Sequence, residues 1–225
     1  MKILIVSGFL GAGKTTFIKR LARNVDQRFA ILENEYGAAG IDGARLGQNR
    51  QGTQKNVWEM TEQCICCIGK KDFAASVLTI ANVVDPEYLI VEPTGVGSLA
   101  RIIENLRQIE YERIQLLSPV TIVDVYSYRR YMAEYPELYQ DQIRSADTII
   151  VSKTEACQAE EKQRIQKFLQ EINPQAKIIT DYASTMTRED YQSLLLGGRY
   201  EKEVQDTQSG EKMPETFSFE NIRME

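Results

Sequence analysis

The amino-acid sequence predicts an α/β fold with three layers, in which helices cover both faces of a mostly parallel sheet. Short, continuous apolar runs, typical of strands buried on both faces, alternate with segments whose apolar residues recur at helical spacing. The first apolar run leads through a glycine-rich turn directly into a helix, which is the arrangement of a phosphate-binding loop. The length of 225 residues is enough for one large domain with its own core.

The elements follow in a regular order along the chain. Strands are predicted at residues 3–6, 29–32, 88–91, 120–123, 148–151 and 177–180. Helices are predicted at residues 14–23, 73–83, 98–108, 126–144 with a break at Pro136, 159–172, and a short last helix before Gly197. The glycines of residues 36–56 predict a long loop. We expect one domain over residues 1–198, followed over 199–225 by a polar linker.

Composition excludes several classes of function. Lys and Arg number 27 against 32 Asp and Glu, and this net charge of −5 argues against nucleic-acid or anionic-membrane binding. No apolar stretch approaches the ~18 residues of a membrane span, and we expect no signal peptide. The chain has no histidine, so no imidazole is available as a general base or as a metal ligand. Three of the four cysteines fall within residues 64–67, which favours a reduced, cytoplasmic setting over disulfides.

A complete phosphate-loop motif, GxxxxGK[ST], spans residues 8–15. Its glycines let backbone N–H groups turn toward phosphate oxygens, and the helix N-terminus adds a positive end. Lys14 is expected to reach the β- and γ-phosphates, and the Thr15 hydroxyl to ligate Mg²⁺. The predicted nucleotide-binding residues of this segment are Gly8, Gly11, Ala12, Gly13, Lys14, Thr15 and Thr16. The alternative is a glycine-rich turn that binds nothing.

Two strand ends carry further candidates. Glu92 ends the third predicted strand, where a carboxylate would hold Mg²⁺ through water while Gly95 lies close to the γ-phosphate; the alternative is an ordinary strand-end glutamate. The fifth predicted strand runs into Ser152, Lys153 and Glu155, at the place where GTPases carry Asn-Lys-x-Asp to bind guanine. The lysine and an acid are kept and the asparagine is lost, so the guanine signal is weakened, but its position supports it.

The segment Cys64-Ile65-Cys66-Cys67 is a candidate metal site. Three thiolates this close together can converge on one cation, and Zn²⁺ fits best, with Co²⁺ and Ni²⁺ also compatible. Because neighbouring side chains diverge, a further ligand is expected from a carboxylate or water, with Glu33 and Glu35 as candidates. Alternatives are inert buried cysteines or a redox dithiol, although the CxxC spacing is missing. The isolated Cys157 is not expected to be a ligand.

Taken in order, these motifs resemble the CobW-type P-loop metallochaperone GTPases, relatives of HypB and UreG, over residues 1 to about 195. The resemblance implies a GTPase domain that binds GTP, Mg²⁺ and a transition metal, and that delivers the metal to a client metalloprotein. It implies that Thr16 acts with Lys14 and Thr15, and that Glu92 belongs to the Mg²⁺ element. It also implies metal ligands at Glu33, Cys66 and Cys67 with Cys64 close by, and a nucleotide-dependent homodimer. Members of this family usually carry a second, C-terminal domain, so residues 199–225 are expected to include the start of a domain that the chain lacks, unless it is a minimal member.

Three functions remain open at this point. In the first, GTP and Mg²⁺ order residues 33–67, and hydrolysis, for which Lys14 and Glu92 are the catalytic candidates, relaxes them and releases metal. In the second, the chain is a P-loop ATPase or small-molecule kinase with incidental cysteines. In the third, it is a non-catalytic, nucleotide-gated binding protein whose metal is only structural.

Overall fold

The computed structural model describes residues 1–27, 29–33, 57–61 and 70–201, and it describes side chains throughout these ranges except in 57–61 and 70–73. The strands within them are β1 (Lys2–Gly8), β2 (Phe29–Glu33), β3 (Val57–Thr61), β4 (Tyr88–Glu92), β5 (Gln115–Leu116), β6 (Val120–Asp124), β7 (Thr148–Ser152) and β8 (Lys177–Ile179). All six predicted strands are present. The predicted loop at 36–56 lies outside the described residues.

The strands form one parallel sheet in the order β3-β2-β4-β1-β6-β7-β8, and the short β5 also pairs with β1. Two of these strands, β3 and β5, were not predicted from the sequence. The first is an edge strand whose five residues include a glutamate, so it has no continuous apolar run. The second has only two residues, too few for any periodic pattern.

The helices are α1 (Lys14–Asn24), α2 (Lys70–Val83), α3 (Leu99–Arg107), α4 (Tyr128–Glu134), α5 (Pro136–Arg144), α6 (Ala159–Ile172), α7 (Tyr182–Thr185) and α8 (Arg188–Leu196). The predicted break at Pro136 is confirmed: this proline opens α5, where its missing N–H removes no helical hydrogen bond. The single short helix predicted near the end is two helices, α7 and α8. In the described part of the chain, no helix has the length and apolar character needed to cross a membrane.

Alternating side chains of β1 divide the core between the two faces of the sheet. Ile3 and Ile5 pack in the cluster that contains the buried residues of α2 and α3. Leu4 and Val6 pack in the cluster that contains the buried residues of α1 and α8. Apolar residues on both faces are what a strand covered by helices on both sides requires, so the three-layer prediction is confirmed.

Arg199 and Tyr200, which follow the domain expected over residues 1–198, also contact it. Arg199 forms an antiparallel bridge with Leu117, and the backbone N–H of Tyr200 donates to the Leu116 carbonyl at 2.8 Å. The Tyr200 ring is buried under the Arg107 guanidinium, 5.2 Å from the ring centre. Burial raises the pKa of Tyr200 to about 12. Residues 202–225, which make up most of the predicted linker, lie outside the described residues.

Candidate nucleotide-binding site

The turn between β1 and α1 has a backbone that needs glycine. Gly13 is the N-cap of α1 at φ 99°, and Gly11 lies exposed at φ 71°. Gly8 has φ 140°, and a Cβ atom there would overlap the carbonyl oxygen of Ile122 in β6 and lie 3.2 Å from its carbonyl carbon. The predicted glycine motif therefore forms the tight strand-to-helix turn that a phosphate loop requires.

Lys14 lies buried against this turn rather than pointing into solvent. Its Nζ donates to the Gly8 carbonyl at 2.9 Å and to the Phe9 carbonyl at 3.3 Å. The N–H of the buried Ala12 also donates to the Phe9 carbonyl, at 3.1 Å. Thr16 is exposed in the first turn of α1. The lysine ammonium is thus held at the mouth of the loop by carbonyl groups that phosphate oxygens could replace as its partners.

The two residues predicted to hold Mg²⁺ are in direct contact. The Thr15 hydroxyl donates to Oε1 of Glu92 at 3.0 Å and lies 3.3 Å from Oε2. Glu92 is buried at the end of β4, the strand that neighbours β1. A hydroxyl and a carboxylate are the hard oxygen ligands that Mg²⁺ prefers, so these residues fit that ion.

The Gly95 loop, which we define as residues 93–98, lies directly on the phosphate loop. A Cβ atom at Gly95 would overlap the backbone nitrogen of Leu10 and lie 2.8 Å from the carbonyl carbon of Phe9. On its other side, the Nε2 of Gln142 in α5 donates to the carbonyls of Gly95 at 3.1 Å and Gly97 at 2.9 Å. Gln142 was not predicted to be a functional residue, because a glutamine in a helix is usually exposed.

Asp141, next to Gln142, caps the start of α3. Its Oδ2 accepts from the backbone N–H groups of Leu99 at 2.7 Å and Ala100 at 3.4 Å. Burial raises the pKa of Asp141, although the Ser98 hydroxyl and these N–H groups stabilise the carboxylate. This carboxylate therefore tethers the helix that follows the Gly95 loop, at some cost in desolvation.

Asp141→Asn is expected to be more stable than the unsubstituted protein at pH 7. Because the folded-state pKa is raised, the stability that this group contributes is fully present below the usual value of 3.8 and is lost as pH rises through the raised value. An asparagine oxygen keeps the acceptor for Leu99 without the charge. Urea unfolding from pH 4 to pH 7 measures this, with Glu137→Gln on the exposed side of α5 as control. An advantage that does not shrink at low pH would contradict it.

The end of β7 places the predicted base-recognition residues beside the phosphate loop. The buried Ser152 hydroxyl donates to the Ala12 carbonyl at 2.6 Å. Lys153, at φ 60°, forms an ion pair with Asp124 at 2.7 Å. Glu155 is exposed at the surface. Ser152 thus connects the fifth predicted strand to the phosphate loop, although it replaces the usual asparagine.

Two carboxylates that lie near residues 152–155 were not predicted from the sequence. Asp124, at the end of β6, accepts from Lys153 and from the N–H of Tyr126 at 2.9 Å. Asp181, after β8, pairs with Lys162 at 2.6 Å, and hydrogen bonds from Lys162 and then Thr154 lower its pKa. Both follow apolar runs, as Glu92 does, and this shared position is the signal that could have identified them.

Only one of the predicted transition-metal ligands lies within the described residues. Cys64, Cys66 and Cys67 lie outside them, as does Glu35, whereas Glu33 ends β2 and is partly exposed. The ranges that the structure describes contain no group of three or more Cys, Asp or Glu residues that could hold a metal ion. Cys157 is a free thiol, partly buried.

The glycine turn, its buried lysine and the adjoining threonine–glutamate pair define the chain as a P-loop nucleotide-binding protein. Residues 2–180 match the family described as CobW/HypB/UreG, nucleotide-binding domain, and the chain belongs to this family. Membership places it in the class of P-loop GTPases, so the identification made from the motifs is confirmed. The reading as an ATPase or small-molecule kinase gains no support.

Relatives of this chain include curated proteins and solved structures. It is 30% identical over 178 residues to the zinc chaperone YeiR of Escherichia coli, covering 78% of this chain and 53% of that protein. It is 27% identical over 194 residues to the zinc chaperone CobW of Pseudomonas aeruginosa, covering 73% and 52%. The chain therefore spans about half the length of these curated relatives.

Two solved structures show the same fold. The Zn(II)-bound YjiA GTPase of Escherichia coli matches with a TM-score of 0.60 at 19% identity, covering 90% of this chain and 66% of that one. The hydrogenase maturation factor HypB of Archaeoglobus fulgidus matches with a TM-score of 0.61 at 18% identity, covering 87% and 89%. At this level of identity the likeness concerns the fold alone.

Proposed function

We propose that this domain hydrolyses GTP with Mg²⁺, binds a transition metal, with zinc the best fit, at its CxCC segment, and couples its nucleotide state to delivery of that metal to a client metalloprotein. The observation that carries the proposal is that three neighbouring strands end in register at the carboxyl end of the sheet. Glu92 of β4 is in register with Glu33 of β2, and Glu33 is in register with Thr61 of β3. Glu92, the candidate Mg²⁺ ligand, and Glu33, the candidate transition-metal ligand, therefore lie side by side on neighbouring strands.

At the nucleotide end, each group has one task. Lys14 exchanges its carbonyl partners for β- and γ-phosphate oxygens, and Thr15 and Glu92 hold Mg²⁺, which neutralises charge on the phosphates. Lys153 and Glu155 face the guanine base, with Ser152 anchoring their loop to the phosphate loop. GTP and Mg²⁺ would thus act at Glu92, the carboxylate in register with Glu33.

At the metal end, covalent distance supports the proposal. Thr61 is three residues before Cys64, and a chain of three residues spans at most about 10 Å. The length of the chain therefore allows Cys64 to lie close to Glu33. Thiolates together with a carboxylate suit Zn²⁺, and a site with fewer than four firm protein ligands can exchange its metal. The zinc chaperones among the relatives are consistent with this choice of metal.

Metal affinity is expected to differ between the two nucleotide states by on the order of tenfold, the usual size of coupling between two sites. The reduced protein is titrated with Co²⁺, whose thiolate absorption counts sulfur ligands, in GDP and then in a non-hydrolysable GTP analogue. Zn²⁺ competition against bound Co²⁺ then gives the affinity for zinc. Cys66→Ser and Cys67→Ser are expected to lose most of the thiolate absorption.

Cys157→Ser is the matched control, because it removes a thiol that is not part of the CxCC segment, and it is expected to titrate as the unsubstituted protein does. Equal affinities in the two nucleotides would contradict delivery and leave a nucleotide-gated protein with a structural metal. The proposal also includes binding to a client metalloprotein and formation of a homodimer that depends on the bound nucleotide. Size measurements of the metal-loaded protein in each nucleotide test the homodimer.

A further inference from the structure

The two consecutive α5 residues that hold the Gly95 loop and the start of α3 form one clamp. Gln142 donates from Nε2 to two carbonyls of the loop, and Asp141 accepts from the first N–H groups of α3. One side of the loop is thus bonded to α5, and the opposite side lies against the phosphate loop at Leu10. The loop therefore lies between this clamp and the phosphate loop.

The helix that carries the clamp is itself anchored to the phosphate loop and to the sheet. The Tyr139 ring of α5 packs edge-on against Phe9, with ring centres 5.1 Å apart. The backbone carbonyl of Gln142 accepts from the Thr121 hydroxyl of β6 at 2.8 Å. The same helix, α5, therefore contacts the phosphate loop and the Gly95 loop separately.

The chemistry of Gln142 indicates more than a packing role. Its side chain is 1% exposed, and its Oε1 has no partner in the part of the chain that the structure describes. An apolar side chain would fill this space without burying an unpaired oxygen. What the amide adds is the pair of hydrogen bonds that orient the Gly95 and Gly97 carbonyls.

We propose that Gln142 is a positioning residue for the triphosphate state. By holding the Gly95 and Gly97 carbonyls against α5, it keeps the Gly95 loop at the spacing from the phosphate loop that a terminal phosphate requires. A diphosphate contacts the phosphate loop without reaching the Gly95 loop, so its binding does not depend on Gln142. This inference rests on the proposed function, in which Gly95 lies beside the γ-phosphate.

Gln142→Met and Gln142→Glu test this role by isothermal titration of the whole chain with Mg²⁺ and either GDP or a non-hydrolysable GTP analogue. Methionine keeps the length and removes the donors, while glutamate keeps the shape and presents oxygen to the two carbonyls. The affinity for the analogue is expected to fall on the order of tenfold, the effect of one or two lost hydrogen bonds, with GDP affinity within about twofold of its starting value.

The matched control is Asn173→Met, which removes another buried amide that donates to backbone carbonyls. Asn173 donates to the carbonyls of Ile143 and Ala146, both at 2.8 Å, and of Arg144 at 3.2 Å, at the C-terminal end of α5. Its substitution therefore leaves both hydrogen bonds from Gln142 to the Gly95 loop in place. It is expected to lower the unfolding midpoint as Gln142→Met does, but to leave the ratio of the two affinities unchanged.

The inference would be overturned by a parallel loss of affinity for both nucleotides in the Gln142 variants, by an equal change of the affinity ratio in the Asn173 variant, or by failure of both Gln142 variants to fold, as judged by circular dichroism. If the unsubstituted chain bound neither nucleotide, the proposed function would itself be wrong. Binding of both nucleotides with no selective loss in the variants would overturn only the role of Gln142.

Discussion

Lys14→Met is expected to reduce GTP hydrolysis by at least about a hundredfold, as does the loss of other groups that stabilise developing charge. The Lys14 ammonium is buried at the mouth of the phosphate loop, bonded to the Gly8 and Phe9 carbonyls. A buried cation needs such partners, and phosphate oxygens satisfy it better than carbonyls because the pairing is between opposite charges. Methionine has a similar length and no charge, so the phosphates lose their cation.

Phosphate release from GTP by the purified protein, followed with Mg²⁺ present, measures this effect. Lys19→Met is the matched control, because Lys19 lies on the same helix, α1, with its side chain exposed. Its substitution is expected to leave the rate within about twofold, as is usual for a surface change away from a site. An equal fall in both variants, or hydrolysis by Lys14→Met at the unsubstituted rate, would remove Lys14 from the catalytic assignment.

Gly8→Ala is expected to lower the free energy of unfolding by about 4 kcal/mol, through two separate costs. The first is conformational, because an alanine does not readily adopt φ 140°. The second is steric, since the added Cβ would overlap the Ile122 carbonyl oxygen in the neighbouring strand. That oxygen belongs to the backbone of the sheet, so it cannot move aside as the end of a side chain would.

Gly11→Ala separates these two costs. Gly11 also has a positive φ, 71°, but a Cβ atom there would meet nothing within 4 Å. Its substitution is expected to cost about 1–2 kcal/mol, the conformational part alone. Urea unfolding followed by circular dichroism compares the two variants, and Gly198→Ala, with open space and no positive φ, serves as a baseline. Equal destabilisation at Gly8 and Gly11 would show that contact with β6 is not limiting.

Local motifs made the central part of the fold and site predictable. The phosphate loop requires its glycines, lysine and threonine at fixed spacing within eight residues, so Lys14 and Thr15 are found without any knowledge of the rest of the chain. The strands on either side of β1 are buried on both faces and have continuous apolar runs. Glu92 was found because it ends one of these runs.

Contacts between distant segments could not be predicted in the same way. Nothing in the local sequence distinguishes Gln142 from an exposed glutamine, because its partners, Gly95 and Gly97, lie in another segment of the chain. Asp124 ends an apolar run as Glu92 does, but its pairing with Lys153 depends on the order of the strands. The edge strand β3 was missed for a related reason, since an edge position does not require a continuous apolar run.

The position of β1 between β4 and β6 also determines when this protein acquires its affinity for nucleotide. Lys2 pairs with Tyr88 and Val6 with Val120, so the central strand finds its neighbours on the order of 100 residues away, a topology typical of slow folding. During synthesis, the cradle around the phosphates is incomplete until β6 has emerged. We therefore expect nucleotide to bind only late intermediates and the native state, and by mass action to favour completed folding over partly folded chains.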